Sequence, residues 1–130
     1  MPLFSTASQA KLDTCDKRLQ KIFQEVVKHY DCTVIEGHRS EEKQNEYYRT
    51  GKSKVRYPSG KHNSTPSLAV DVAPCPIDWG DVRRFDHFAG FVQAVALSQG
   101  VTLRWGGDWN MNLDFKDQTF NDLPHFEIME

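Results

Sequence analysis

Three side chains from distant parts of this sequence, His62, Asp71 and His125, are of the types that bind a divalent metal through nitrogen and oxygen. Asp71 lies inside Leu68-Ala69-Val70-Asp71-Val72-Ala73, a run of small or branched apolar residues that reads as a strand closed by Pro74. A carboxylate in that setting is costly to bury unless its charge is compensated, and a cation compensates it directly. His62 stands nine positions earlier, across a turn, and His125 opens the last apolar stretch beside Pro124. Two imidazoles and one carboxylate form the ligand set of a catalytic zinc site that keeps its fourth position open for water.

Such a site also needs a proton acceptor and an electrophilic donor. Asp122, three residues before His125 in Asp122-Leu123-Pro124-His125, is the acid nearest in sequence to a ligand, and Pro124 restricts the backbone between them. It is the candidate general base, able later to protonate a leaving amine. Arg39, at the end of an early strand, can bring a fixed positive charge and several N–H groups to a developing oxyanion. On spacing alone the bland alternative stays open, in which Asp71 caps a turn and His125 packs in the core. His29 and His87 show no acidic or histidine partner at useful spacing and read as solvated helix residues. His38 either lines a cleft or bonds locally.

The elements that position these residues follow from periodicity. Apolar residues from Leu12 to Tyr30 recur at three- and four-residue spacing, predicting one amphipathic helix over 8–30. Cys32 to Ile35 reads as a buried strand that ends in Glu36-Gly37-His38-Arg39. Ser40 followed by Glu41 and Glu42 marks a helix start, and Gly51 its stop after Thr50. Tyr47 and Tyr48 on that helix are expected to cover the core. Residues 52–66 form a loop rich in Lys, Ser, Gly and Pro that contains His62, and its Lys52, Lys54, Arg56 and Lys61 either are simply solvated or attract carboxylates. A third helix fits 86–99, with Phe88, Phe91, Val92, Val95 and Ala96 as its buried stripe and Gly100 at its end. A strand over 101–105, a long loop over 110–121 and a last strand over 125–128 complete the chain. The order predicts an α+β fold with a mostly antiparallel sheet.

Composition bounds the rest. The 130 residues fit one domain, 1–130, long enough to bury a core without staples. Three cysteines without a C-x-x-C pair suggest neither a disulfide framework nor a thiolate metal site, and read as reduced, buried thiols. Sixteen basic against eighteen acidic residues, spread without long runs, exclude the electrostatic footprint of a nucleic-acid binder. The first ten residues lack the pattern of a signal peptide, and no apolar run approaches a membrane span, so a soluble protein without stable membrane insertion, and a monomer, is expected.

Four segments resemble, in order, those of the zinc D-alanyl-D-alanine carboxypeptidase and L-alanyl-D-glutamate endopeptidase family: Gly37 to Ser40, Lys61 to Val72, Trp105 to Trp109, and Asp122 to Glu127. Within it the chain is most similar to compact phage endolysins. The resemblance implies Zn2+ on His62, Asp71 and His125, Asp122 as the catalytic acid, Arg39 as the transition-state arginine, and the fold shared with the hedgehog signalling domain, an antiparallel sheet with helices packed on it. It implies hydrolysis of the peptidoglycan stem peptide, between L-alanine and D-glutamate, by an endolysin that lyses the host; such a protein waits in the host cytoplasm and reaches the wall through a holin-like pore. Many relatives carry a serine two places before the first ligand, where this chain has Gly60, and the gap from His62 to Asp71 exceeds the shorter form of the motif. Ser59, beside that place, is the remaining candidate for the substrate contact, although extended backbone would aim it elsewhere. Trp109 and Asp108 either shape the cleft wall or belong to a packed strand end. Two other functions compete: trimming of a D-alanyl-D-alanine terminus, and a non-catalytic, zinc-stabilised binding module.

Overall fold

A computed structural model describes residues 2–114, 116 and 121–130. The elements run α1 (Thr6–Leu12), α2 (Lys17–His29), β1 (Cys32–Glu36), α3 (Glu41–Arg49), a single 3-10 turn (Lys61–Asn63), β2 (Ala69–Pro74), α4 (Val82–Ser98), β3 (Leu103–Trp105) and β4 (His125–Ile128). The four strands form one sheet of order β1-β2-β4-β3, antiparallel at every pairing. The class is therefore α+β, as the order of elements predicted. Among the described residues no helix is long and apolar enough to cross a membrane. Of the long loop expected over 110–121, residues 115 and 117–120 lie outside the described residues.

Side chains alternate across a strand, so this sheet has two unlike faces. Val34, Val70, Val72, Leu103, Trp105, Phe126 and Ile128 join Leu19, Ile22, Phe23, Val26 and Val27 of α2 and Phe88, Ala89, Val92 and Ala96 of α4 in one buried cluster. Asp71, Arg104, His125 and Glu127 alternate with those apolar residues and occupy the other face. On β1 strict alternation would send Glu36 to the core with Cys32 and Val34. A bulge prevents this: Val34 pairs Val72 but Glu36 pairs Asp71, so Ile35 is the extra residue and Glu36 emerges on the polar face.

Periodicity misjudged the first helix, which is two. Asp16 caps α2 by accepting from Arg18 N at 2.9 Å, and the intervening Cys15 bridges Ser67, with Asp16 N donating to Ser67 O at 2.8 Å. Leu12, Cys15 and Leu19 all enter the same core, so the apolar rhythm runs on through the break. α4 starts four residues early because Asp81 caps it through Arg84 N, and Phe85 and Ala89 are buried where Phe91 and Val95 only border the core. Ser40 and Gly51 act as expected, the first accepting from Lys43 N and the second taking φ +82°. Cys15 and Cys32 are buried free thiols, whereas Cys75 is only partly covered.

Phe23 meets Phe126 edge-on at 5.7 Å between ring centres and ties α2 to the centre of the sheet. Phe23→Ala is expected to lower unfolding free energy by about 3–5 kcal/mol, measured by denaturant titration.

Candidate metal centre and cleft

Register brings the first two groups together. Asp71 and His125 are direct partners across the β2–β4 ladder, on the polar face. His62 comes from the 3-10 turn, which is fastened when Asn63 Oδ1 accepts from Gly60 N at 3.1 Å and Arg39 N donates to His62 O at 2.8 Å. His62 Nε2 lies 3.2 Å from Asp71 Oδ1 and 3.3 Å from His125 Nδ1, and that Nδ1 is 3.2 Å from the same carboxylate oxygen. All three residues are buried, and their three ligand atoms lie within 4.8 Å of one another.

The remaining ring nitrogens decide which lone pairs face inward. His62 Nδ1–H donates to Gly37 O at 2.7 Å, which leaves Nε2 unprotonated toward the cluster when the ring is neutral. His125 Nε2–H donates to Glu127 Oε1 at 2.7 Å, which frees Nδ1 in the same way. Two imidazole nitrogens and one carboxylate oxygen converging without a hydrogen between them repel unless a cation sits among them. The donor set therefore fits a divalent metal, with each ligand oriented by an outer partner.

Charges without a metal follow the same geometry. Burial works to raise Asp71, but the imidazoles of His62 and His125 outweigh it and hold the carboxyl well below the usual range. Burial would lower His125, yet hydrogen bonds from its ring to Asp71 and Glu127 push it up to about 9. Glu127 goes the other way: burial alone would raise it, and His125 and Arg104 bring it down to about 2. Asp122 is raised to about 6, first by burial and then by repulsion from Asp71, with His125, His62 and Arg39 pulling back.

Asp122 and Arg39 both border the cluster. Asp122 Oδ2 is 4.0 Å from His125 Nδ1. Gly106 makes that approach possible, because Gly106 O accepts from Asp122 N at 2.9 Å and a β-carbon on Gly106 would stand 2.0 Å from Asp122 O. Arg39 Nη2 is 3.7 Å from Asp71 Oδ2, while its Nε donates to Glu36 Oε1 at 2.8 Å and its Nη1 to Gln44 Oε1 at 2.9 Å. The guanidinium is thus buried and held at three corners.

These groups floor a cleft of about 610 Å³, walled by α3, the loop after it and the end of β3. Of the expected substrate contacts, Trp109 lines it, its ring centre 5.2 Å from that of His125. Asp108 is instead buried and accepts from Leu113 N at 2.9 Å, shaping the loop after β3. Ser59 is exposed, and its neighbour Gly60 is the one that lines the cleft. Tyr47, expected over the core, is a cleft wall, and Tyr48 is exposed with Arg56 over its ring; the buried residue of α3 is Gln44. His38 is exposed, and its backbone N–H donates to Thr14 Oγ1. His29 does have an acidic partner, Glu25 one turn earlier at 2.9 Å, on the solvated surface.

Two residues escaped notice in the sequence, Glu127 behind His125 and Glu36 behind Arg39, and Tyr47 was misplaced. Glu127 had a signal, since a residue two places along a strand shares the face of His125. Glu36 had none, because its face depends on the bulge.

The fold and the sequence are those of a peptidase. Among solved structures the chain is similar to the L-Ala D-Glu endopeptidase ChiX of Serratia marcescens, with TM-score 0.77, 26% identity, and 98% of this chain and 90% of that one covered. It shares its fold with the vancomycin-resistance D,D-dipeptidase VanXYg, at TM-score 0.52 and 20% identity, over 86% of this chain and 47% of that one. The chain belongs to the phage L-alanyl-D-glutamate peptidase family, whose model matches residues 2–129. It is 29% identical over 120 residues to the L-alanyl-D-glutamate peptidase of Escherichia phage T5, covering 88% of this chain and 87% of that protein. It is 28% identical over 115 residues to the peptidoglycan L-alanyl-D-glutamate endopeptidase CwlK of Bacillus subtilis (strain 168), covering 78% of this chain and 63% of that protein.

Two measurements probe the metal centre. Glu127→Gln should weaken metal affinity about 10- to 100-fold in a chelator competition, because the carboxylate orients His125 and raises its basicity. With His125 near 9 in the metal-free protein, the site carries a proton at pH 7 that a metal must displace. Calorimetry in buffers of differing ionisation enthalpy should therefore report about one proton released per ion bound at pH 7, and affinity that falls as pH is lowered below 9.

Proposed function

We propose that this chain hydrolyses the bond between L-alanine and D-glutamate in the peptidoglycan stem peptide, with zinc held by His62, Asp71 and His125. The observation that carries this reading is the convergence of three inward-facing ligand atoms within 4.8 Å on the floor of an open cleft. Two nitrogens and one oxygen suit a catalytic zinc, which when bound would supply Lewis acidity to water and to the scissile carbonyl.

The chain's own residues do the rest. Asp122, flanking the cluster, takes a proton from the attacking water; with its carboxyl near 6, it is mostly ionised at neutral pH and so available as a base. As the C–N bond breaks, the same proton passes from Asp122 to the departing amine of the glutamyl residue. Arg39 offers N–H groups to the carbonyl oxygen as it gains charge. It needs no reorganisation, because Glu36 and Gln44 already fix its plane. Trp109 and Tyr47 both line the cleft that receives the peptide.

Incubation of the metal-loaded protein with purified peptidoglycan should release peptides whose new amino terminus is D-glutamate, identified by mass spectrometry. Loss of terminal alanine alone would contradict the assignment. Asp122→Asn should lower turnover by about 10²–10⁴-fold while metal content stays at the wild-type level.

A further inference from the structure

We propose that Lys52, held over the ring of Tyr47, is the subsite for the free carboxylate of the glutamyl residue whose amine is released. The inference rests on the reaction assigned above and adds a specificity determinant to it. A glutamyl residue joined through its amine and through one carboxyl keeps its other carboxyl free, and at neutral pH that group is ionised. A cleft that cuts at this amine must therefore accept an anion within a few bonds of the reacting carbon. The floor already carries the carboxylates of Asp71, Asp122 and Glu127, so an uncompensated cation is needed beside it.

The cations lining the cleft are Arg39, Lys52, Lys54, Lys61 and Arg104. Arg39 is committed to Glu36 and Asp71. Arg104 binds Glu127 at 2.8 Å, and Lys61 lies 3.7 Å from the same carboxylate while donating to Ile128 O. Around Tyr47 stand three positive charges, Arg39 at 4.6 Å, Lys52 at 5.5 Å and Lys43 at 5.7 Å from the ring centre. Glu36 answers Arg39 and Lys43, the latter at 2.8 Å. Lys54 has an interaction of its own, and Lys52 is left as the surplus, with no carboxylate partner among the described residues.

Its position is fixed by backbone. Gly51, at φ +82°, turns the chain at the end of α3, and Ser53 N donates to Tyr47 O at 3.1 Å. Gln44 Nε2 then donates to Ser53 Oγ at 3.0 Å and to Val55 O at 2.6 Å. The main chain on either side of Lys52 is pinned while its side chain stays exposed to the cleft. Lys52 and Arg39 share one ring, so their charges are no more than about 10 Å apart. That distance suits a carbonyl and a carboxylate on adjacent residues, given roughly 3.5 Å of backbone per residue plus a side chain.

A matched pair of peptides tests this: one with D-glutamate after L-alanine, the other with that free carboxyl converted to its amide. The wild type should cleave the acid with kcat/KM about tenfold above the amide, the difference lying in KM and shrinking with added salt. Lys52→Met should raise KM on the acid about tenfold and make the two peptides equivalent, and Lys52→Arg should restore most of the preference. Discrimination that persists in Lys52→Met, or that collapses in Lys54→Met instead, overturns the subsite while the hydrolytic function stands. Cleavage of neither peptide by the wild type overturns that function, and the subsite with it.

Discussion

A carboxylate in the middle of a fully buried strand is the constraint on which the rest of this structure depends. Every residue of β2 from Ala69 to Pro74 is buried, and Asp71 is its one charged member. Removing such a group from water without compensation costs several kcal/mol. His62, His125 and Arg39 all converge on it, from a turn, a neighbouring strand and a strand end. Without a metal, a proton on His125 balances the charge; with a metal, the ion does so, and the protein's own groups are already aimed.

The two-faced sheet lets one short chain meet opposing demands. Its apolar face supplies the core with α2 and α4, where Phe23, Phe88 and Phe126 interlock edge to face. Its polar face, opposite that core, carries Asp71, Glu127, His125 and Arg104, and the β1 bulge adds Glu36 to it. Asp71, His125 and Glu127 thus stand on hydrogen-bonded ladders and His62 on the 3-10 turn, while Tyr47, Lys52 and Trp109 line the cleft from a helix and loops. Arg39 and Asp122 reach the cluster from just beyond the end of β1 and just before the start of β4.

Much of this was legible in the sequence, and the reasons differ by element. β4 starts and ends where the apolar pattern does, and the caps at Ser40 and Gly51 follow from side-chain chemistry that acts within a few residues. The candidate ligands stood out because Asp71 broke an apolar run, and the structure brings it together with His62 and His125. The break between α1 and α2 was hidden, since both helices feed one core and the cause is a bridge to Ser67, far along the chain. Glu36 was missed because a bulge re-aims it, and Tyr47 was misjudged because α3 buries Gln44 and turns the tyrosine to the cleft.

The cysteines offer the sharpest contrast to the assigned ligand set. Burial pushes the Cys15 thiol up to about 12 and Cys32 higher still, so both stay protonated and are poor ligands. X-ray absorption of the purified, metal-loaded protein tests the central claim most directly. The account predicts one ion per chain with only nitrogen and oxygen neighbours at about 2.0–2.2 Å. A chain that retains no ion, or a spectrum with sulfur at about 2.3 Å, would contradict it.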